Sequence, residues 1–271
     1  MDALGISSYR DLRAAGASRH DISQALAAGT IVRIARGWYR SSPIADPQVA
    51  AALKVGGRLG CLSGCQLHGL WVPPHSGTHI VFGEGCAPDR LTRNMHTTKK
   101  PQPRAPVWPL LDCLEHVLHR HSVEDALVVI ESALNLHLLT RGELHGLLAS
   151  HPSRGEMVMK HLGIAESGSE TRVRLFLQQR NVLVQAQVEI PGIGRVDLLV
   201  GRSRIIECDS RAHHGNSANY EIDRMRDLAA RDLGYDTLRL SYRQIWSQWD
   251  STRASLIRHV SRRTHLAPPA A

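Results

Sequence analysis

The 271-residue sequence predicts a mixed α/β protein with an α/β C-terminal domain of order α-β-β-β-α-β-α, an N-terminal helix-turn-helix with a hairpin, and an α+β middle region. Three observations carry this reading. Residues 165–263 switch between helical and strand periodicity in that order. Residues 1–42 place two short helices before a β-type run that turns at Arg36-Gly37. Between them, in 43–150, helical segments flank a stretch broken by Pro101, Pro103, Pro106 and Pro109.

In chain order, SSYRDLRAAG reads as a short helix, ASRHDISQALAAG as a second ending at Gly29, and TIVRIARGWYR as a hairpin. Helix, turn, helix and hairpin make a winged helix-turn-helix. Ser18, Arg19, His20 and Ser23 fall at the exposed start of its recognition helix, and Arg33, Arg36 and Arg40 on its wing, the positions from which such a module contacts DNA. The competing role for so small a module is protein contact. In the middle region, CLSGCQLHGLWVPP reads as a helix, THIVF as a strand and LLDCLEHVLHRHSVEDALVVIESAL as helical segments. Cys61, Cys65 and His68, with Cys86 further on, are metal-type side chains. C-x3-C-x2-H on one helical face lacks a second paired knuckle, so ordinary packing is expected.

The C-terminal domain opens with the helix ETRVRLFLQQR, where Ser167 to Glu170 fits a capping box that would tie Glu170 to the helix start. VLVQAQVE comes next as a strand, and Pro191-Gly192 as a turn. Residues 196–200 and 203–209 form a hairpin through Gly201-Arg202. The period of two sends Ile205, Glu207 and Asp209 to one face and Arg204, Ile206 and Cys208 to the other, so Asp197 and Glu207 approach each other. Tyr220–Asp232 reads as a helix burying Ile222, Met225, Ala229 and Leu233, with Arg224 or Arg226 near its start available to a phosphate. TLRLSYRQI leads into a last helix from about Gln244, whose Ile245, Trp246, Trp249, Leu256, Ile257 and Val260 are expected to pack.

Two carboxylates meeting in a half-buried sheet repel each other and are costly to desolvate, and a divalent cation relieves both problems. Hard oxygen ligands suit Mg2+ or Mn2+, held by Asp197, Glu207 and the Cys208 carbonyl, in the layout of a phosphodiester-cleaving site. A net charge of +8 makes an anionic polymer, DNA, the natural partner. No run is long enough to span a bilayer, and the polar start MDALGISSYRDL carries no secretory signal. Five cysteines with no disulfide framework fit reduced thiols in a cytoplasm.

The run Asp197-(x)9-Glu207-x-Asp209, with His213-His214 just beyond it, resembles the very-short-patch-repair (Vsr) endonuclease branch of the PD-(D/E)XK nuclease superfamily, whose bacterial relatives read roughly V-D-(x)n-E-x-D-G-x-x-H-H. YEIDRMRDLAARD, then Gly234-Tyr235 and TLRLSYRQI, is similar to the helix and the G-W-x-V-L-R-F-T-x-x-Q-V ending of that family. The resemblance spans 166–263. It implies a restriction-endonuclease-like fold, divalent-metal-dependent DNA cleavage in repair or defence, and catalytic roles for Asp197, Glu207, Asp209, His213, His214 and Glu170. Asp209 stands where the superfamily usually has lysine, and the Vsr branch, which also lacks it, uses histidines near the metal. Ser210 stands where relatives usually have glycine. At the N-terminus, Asp11, Gly16, Ser18, Arg19, Ile22, Gly29, Arg33, Arg36, Gly37 and Tyr39 match a pattern that resembles the N-terminal domain of AbiEi-type antitoxins of type IV toxin–antitoxin systems. One active site per chain implies nicking by a monomer and double-strand cutting by a homodimer. The alternatives are an antitoxin-like transcriptional regulator with an inactive nuclease fold, and cleavage of RNA.

Overall fold

The computed structural model describes residues 4–41, 45–209 and 217–269, with the side chains of 209 and 217–223 outside that description. It is a mixed α/β protein with, among the described residues, twelve α-helices and three small open sheets. The chain packs as two units, Met1–Gly69 with His75–Val117, and Leu70–Pro74 with Leu118–Ala271. None of the described helices is long and apolar enough to cross a membrane.

The chain begins β1 (Ile6–Ser8), α1 (Tyr9–Ala14), α2 (Arg19–Ala27), β2 (Val32–Ala35) and β3 (Trp38–Arg40), with the strands in the antiparallel order β1-β3-β2. Both helices start on reciprocal serine–aspartate caps, Ser8 with Asp11 and Ser18 with Asp21, each satisfying two otherwise orphaned amides. The sequence reading of Ser7-Ser8 as helix is corrected here. Ile6 is buried and drives Ile6–Ser8 onto β3 as a strand, so the helix begins only after Ser8. Next come α3 (Pro47–Lys54), β4 (Arg58–Leu59), α4 (Cys61–Leu67), β5 (Ile80–Phe82), β6 (Met95–Thr97) and α5 (Leu110–Arg120). The second sheet runs β4-β5-β6, antiparallel then parallel. Ile6 and Trp38 join Val49, Leu53, Leu59, Ile80 and Phe82 in one core, so the first forty residues do not pack by themselves.

The second unit contains α6 (Val123–Asn135), α7 (Arg141–Ala149), α8 (Pro152–His161) and α9 (Gly168–Gln178), then β7 (Val184–Ile190), β8 (Gly194–Val200), β9 (Arg204–Asp209), α10 (Ser217–Asp232), β10 (Asp236–Ser241), α11 (Tyr242–Trp246) and α12 (Trp249–Ser261). From α9 onward the order is α-β-β-β-α-β-α-α. The sheet runs β10-β9-β8-β7, with β10 parallel to β9 across the α10 crossover and the other pairs antiparallel. One sheet face, including Leu198, Val200, Ile206 and Cys208, packs with Val173, Phe176 and Leu177 of α9 and Leu256 of α12. The other, Val196 and Ile205 with Ile190 and Ile193, packs with Ala230 of α10. Gly168 lets α9 start against its neighbours: a Cβ there would lie 2.1 Å from the Trp71 ring and 2.8 Å from Val128.

Two helix readings change. α10 meets the sheet through Ala229 and Ala230, and the small side chains let it lie close, which leaves Met225 71% and Leu233 40% exposed. The single last helix is two, because Ser241 caps α11 directly at the end of β10 and the chain breaks at Ser247-Gln248 before α12. Trp246 and Trp249 pack as expected, with the Arg172 guanidinium 4.6 and 4.5 Å from their ring centroids.

Candidate functional site

The four-stranded sheet splits at one point. Pairing of β8 with β9 runs from Val200 opposite Arg204 to Leu198 opposite Ile206 and stops. Beyond it, β8 stays with β7 as far as Gly194, while β9 stays with β10 as far as Asp209. Asp197 and Glu207 are the first residues past the last rung, and each carboxylate bridges to the opposite strand. The Cys208 amide donates to Asp197 Oδ2 at 2.8 Å, and the Asp197 amide donates to Glu207 Oε2 at 3.2 Å. Side-chain oxygens thus replace ladder carbonyls, which satisfies the freed amides and locks both carboxylates into the opening.

Glu207 carries the electrostatic consequence. Burial, with the charge of Asp197 added to it, pushes its carboxyl up to about 7. Arg226 of α10 partly offsets this at 3.5 Å. The sign for stability comes from the raised value: protonation of Glu207 favours the folded state, a contribution complete below its ordinary value of 4.5 and lost as pH rises through about 7. The metal-free chain is expected to lose part of its stability across that interval, and Glu207→Gln should flatten that part of a melting-temperature profile. An unchanged profile in Glu207→Gln would contradict this electrostatic description.

Glu170 stands beside the pair but is committed to α9. Its Oε2 accepts from the Glu166 amide at 2.9 Å and its Oε1 from the Ser167 hydroxyl at 2.8 Å, while Ser167 Oγ accepts the Glu170 amide. Burial raises its carboxyl, and the Asp197 charge adds to the shift. Glu170 is thus tied to the helix start, through the Glu166 amide and the Ser167 hydroxyl rather than through the Ser167 amide of the reciprocal capping box the sequence suggests. Gln187, absent from the sequence argument, supplies a third bond to Glu170 Oε2 at 2.7 Å. It lies in β7 at φ 54°, a left-handed conformation costly for a non-glycine residue, between the rungs Ala186–Leu198 and Val188–Val196. Nothing in the local sequence marks it, since a glutamine in a strand reads as a surface residue.

The other expected residues are spread over both units. Asp209 ends β9, paired with Ser241, and its side chain is outside the described residues, as are Ser210, His213 and His214. Arg226 is spent inside the site, donating to the Ile193 carbonyl at 3.1 Å and to the Arg195 carbonyl, so it holds the β7–β8 turn rather than facing outward. Arg224 lines a cleft of about 460 Å³ with Arg231, Tyr235 and Arg239. In the first unit Arg19, His20, Ser23, Arg36 and Arg40 are exposed, Arg33 lies 5.7 Å over the Tyr39 ring, and the Ser18 hydroxyl is used as a helix cap. His68 Nε2 bonds the Trp108 carbonyl at 2.8 Å, and among the described residues neither Cys65 nor His68 belongs to a converging set of three metal-type side chains with Cys61. All five cysteines are unbridged.

The arrangement is a pair of converging carboxylates, one of them pushed up by burial and by the charge of the other, at a slot where two strands part. Among the described residues it does not close into a compact set of three metal-binding side chains by itself. Searched against models of protein families and against curated proteins, the chain matches none.

Proposed function

We propose that the chain is a divalent-metal-dependent endonuclease acting on DNA, with its site at the opening between β8 and β9. The observation that carries this reading is the pair Asp197 and Glu207, fixed by each other's strands and short of compensating charge. The α-β-β-β-α-β order and the mixed sheet are compatible with the restriction-endonuclease-like arrangement that the sequence resemblance implies. Asp197, Glu207 and the Cys208 carbonyl would hold Mg2+ or Mn2+. Bound there, the cation would polarise a phosphate oxygen and acidify a water molecule. Arg226 would position Glu207 while holding the β7–β8 turn, and Gln187 would keep Glu170 away from the cation. A proton acceptor is assigned to His213 or His214 by the resemblance alone.

DNA is favoured by the charge of +8 and by the exposed Arg19, Arg36 and Arg40. Because Ile6 and Trp38 belong to a larger core, the test of this module is substitution rather than deletion. Arg19→Ala, Arg36→Ala and Arg40→Ala together should weaken duplex binding and reduce the slope of log K against log salt by about 0.9 per lost phosphate contact. An unchanged slope would assign the module to protein contact.

One observation favours a second reading, an antitoxin-like regulator whose nuclease fold is inactive. Arg226 already lies 3.5 Å from Glu207 and so supplies part of the charge that a cation would bring. Incubating the chain with nicked, mismatched, single-stranded and duplex DNA, and with RNA, in Mg2+ or Mn2+ separates the readings. The nuclease proposal expects metal-dependent phosphodiester cleavage of a DNA substrate that chelation stops. Duplex binding with no cleavage in either metal favours the regulator, and cleavage of RNA alone would overturn the substrate assignment.

A further inference from the structure

A second cluster, chemically unlike the carboxylate pair, lies in the first unit. Cys61 opens α4, His79 directly precedes β5, and His96 sits at the centre of β6. Their donor atoms lie within 4.8 Å of one another. Cys61 is fully buried and His79 is 4% exposed. His79 Nδ1 and His96 Nε2 are 3.4 Å apart. That is long for a hydrogen bond, where N···O separations run to about 3.2 Å. It matches the edge between two nitrogens each about 2.0–2.1 Å from one zinc in tetrahedral geometry, which works out at about 3.3–3.4 Å.

The fold builds this convergence from three separate devices. β5 and β6 pair in parallel with Val81 opposite His96, which carries His96 alongside the entry to β5 where His79 stands. Gly60 presses the chain against that strand, since a Cβ there would lie 2.8 Å from Val81 Cγ2 and 2.9 Å from the Trp108 ring. Cys61 then adopts φ 53°, a left-handed conformation costly for a side chain with a Cβ. The His79 amide donates to Ser63 Oγ at 3.0 Å, and Ser63 Oγ lies 3.4 Å from His75 Nε2, so the segment bearing His79 is anchored to α4.

We propose that Cys61, His79 and His96 form a zinc site, with the thiolate and two neutral imidazoles as ligands and a fourth position completed by a further donor or water. One soft sulfur and two borderline nitrogens select Zn2+ over the Mg2+ suited to carboxylate oxygens. Binding deprotonates the Cys61 thiol and releases that proton to solvent. The ion would clamp α4 to the β5–β6 pair, and its role is structural. The assignment is independent of the nuclease reading, which uses oxygen ligands in the other unit.

The test uses full-length, untagged chain from zinc-supplemented culture. The proposal expects close to one zinc per chain by elemental analysis, and a thiolate-to-metal charge-transfer band in the near ultraviolet when Co2+ replaces it. Cys61→Ser should lose the band and most of the zinc, His96→Gln should weaken zinc binding at least tenfold, and Cys86→Ser, at an exposed cysteine, should change neither. If Cys61→Ser fails to fold, the wild-type measurements still decide. A wild-type chain that holds no stoichiometric zinc and gives no charge-transfer band with Co2+ overturns the site. So does a folded Cys61→Ser variant that keeps both zinc and band.

Discussion

Asp197→Ala and Glu207→Ala are each expected to abolish phosphodiester cleavage while leaving the circular dichroism spectrum in place. Each carboxylate holds one side of the opening between β8 and β9, so losing either removes one of the two side-chain ligands of the proposed site. Removing a ligand forfeits the charge stabilisation of a bound cation. That is worth several kcal/mol of barrier, or on the order of a thousandfold in rate. The two substitutions also leave a strand amide without its acceptor, Cys208 in one case and Asp197 in the other, at a cost of about 1–3 kcal/mol. Asp197→Asn and Glu207→Gln keep an acceptor oxygen and separate the two effects. They should restore stability and not activity. Variants that cleave at the wild-type rate would remove these residues from the reaction.

The largest stability effect is expected at the Arg174–Glu131 ion pair that joins α9 to α6. Both side chains are 2% exposed. Glu131 also accepts from the Thr171 hydroxyl at 2.7 Å and the Gly163 amide at 2.8 Å, and Arg174 donates to the His161 carbonyl and to Gln178. Truncating one partner buries an uncompensated charge, so Arg174→Ala or Glu131→Ala should cost about 3–5 kcal/mol. In a unit of this size each kcal/mol moves the melting temperature by about 2–4 °C, so the loss is large in a thermal scan. Replacing both together by apolar residues of similar volume should recover much of it, since the pair must overcome its own desolvation. A single variant that melts with the wild type would show that water reaches the pair.

The hairpin that carries the site was legible because its information is local. Alternation in RIIECD assigns Ile205 and Glu207 to one face and Ile206 and Cys208 to the other, and Gly201 marks the turn that brings Asp197 opposite. In RVDLLV the alternation breaks at Asp197, since Val196 packs on the face opposite to Leu198 and Val200. The tie of Glu170 to the start of α9 through Ser167 was legible for the same reason. The splitting of the sheet was not. It depends on β8 keeping its partner β7 while β9 keeps β10, and that competition between neighbours is written in no single segment. The face of α10 was read in part: Ala229 packs as helical spacing expects, whereas Met225 and Leu233 are exposed and the neighbouring Ala230 meets the sheet instead. The zinc-type cluster was hidden by sequence distance. Cys65 and His68 share a helical segment with Cys61, yet the partners that reach it are His79 and His96, brought together by a parallel strand pair.

Binding of Mn2+, monitored by electron paramagnetic resonance on zinc-loaded chain, tests the proposed cation site between β8 and β9 most directly. The wild type is expected to take up Mn2+ that Mg2+ displaces, and Glu207→Gln, which keeps the shape and removes the charge, should lose that binding while its fold persists. Equal Mn2+ uptake by the wild type and by Glu207→Gln, or none by the wild type, would contradict the account.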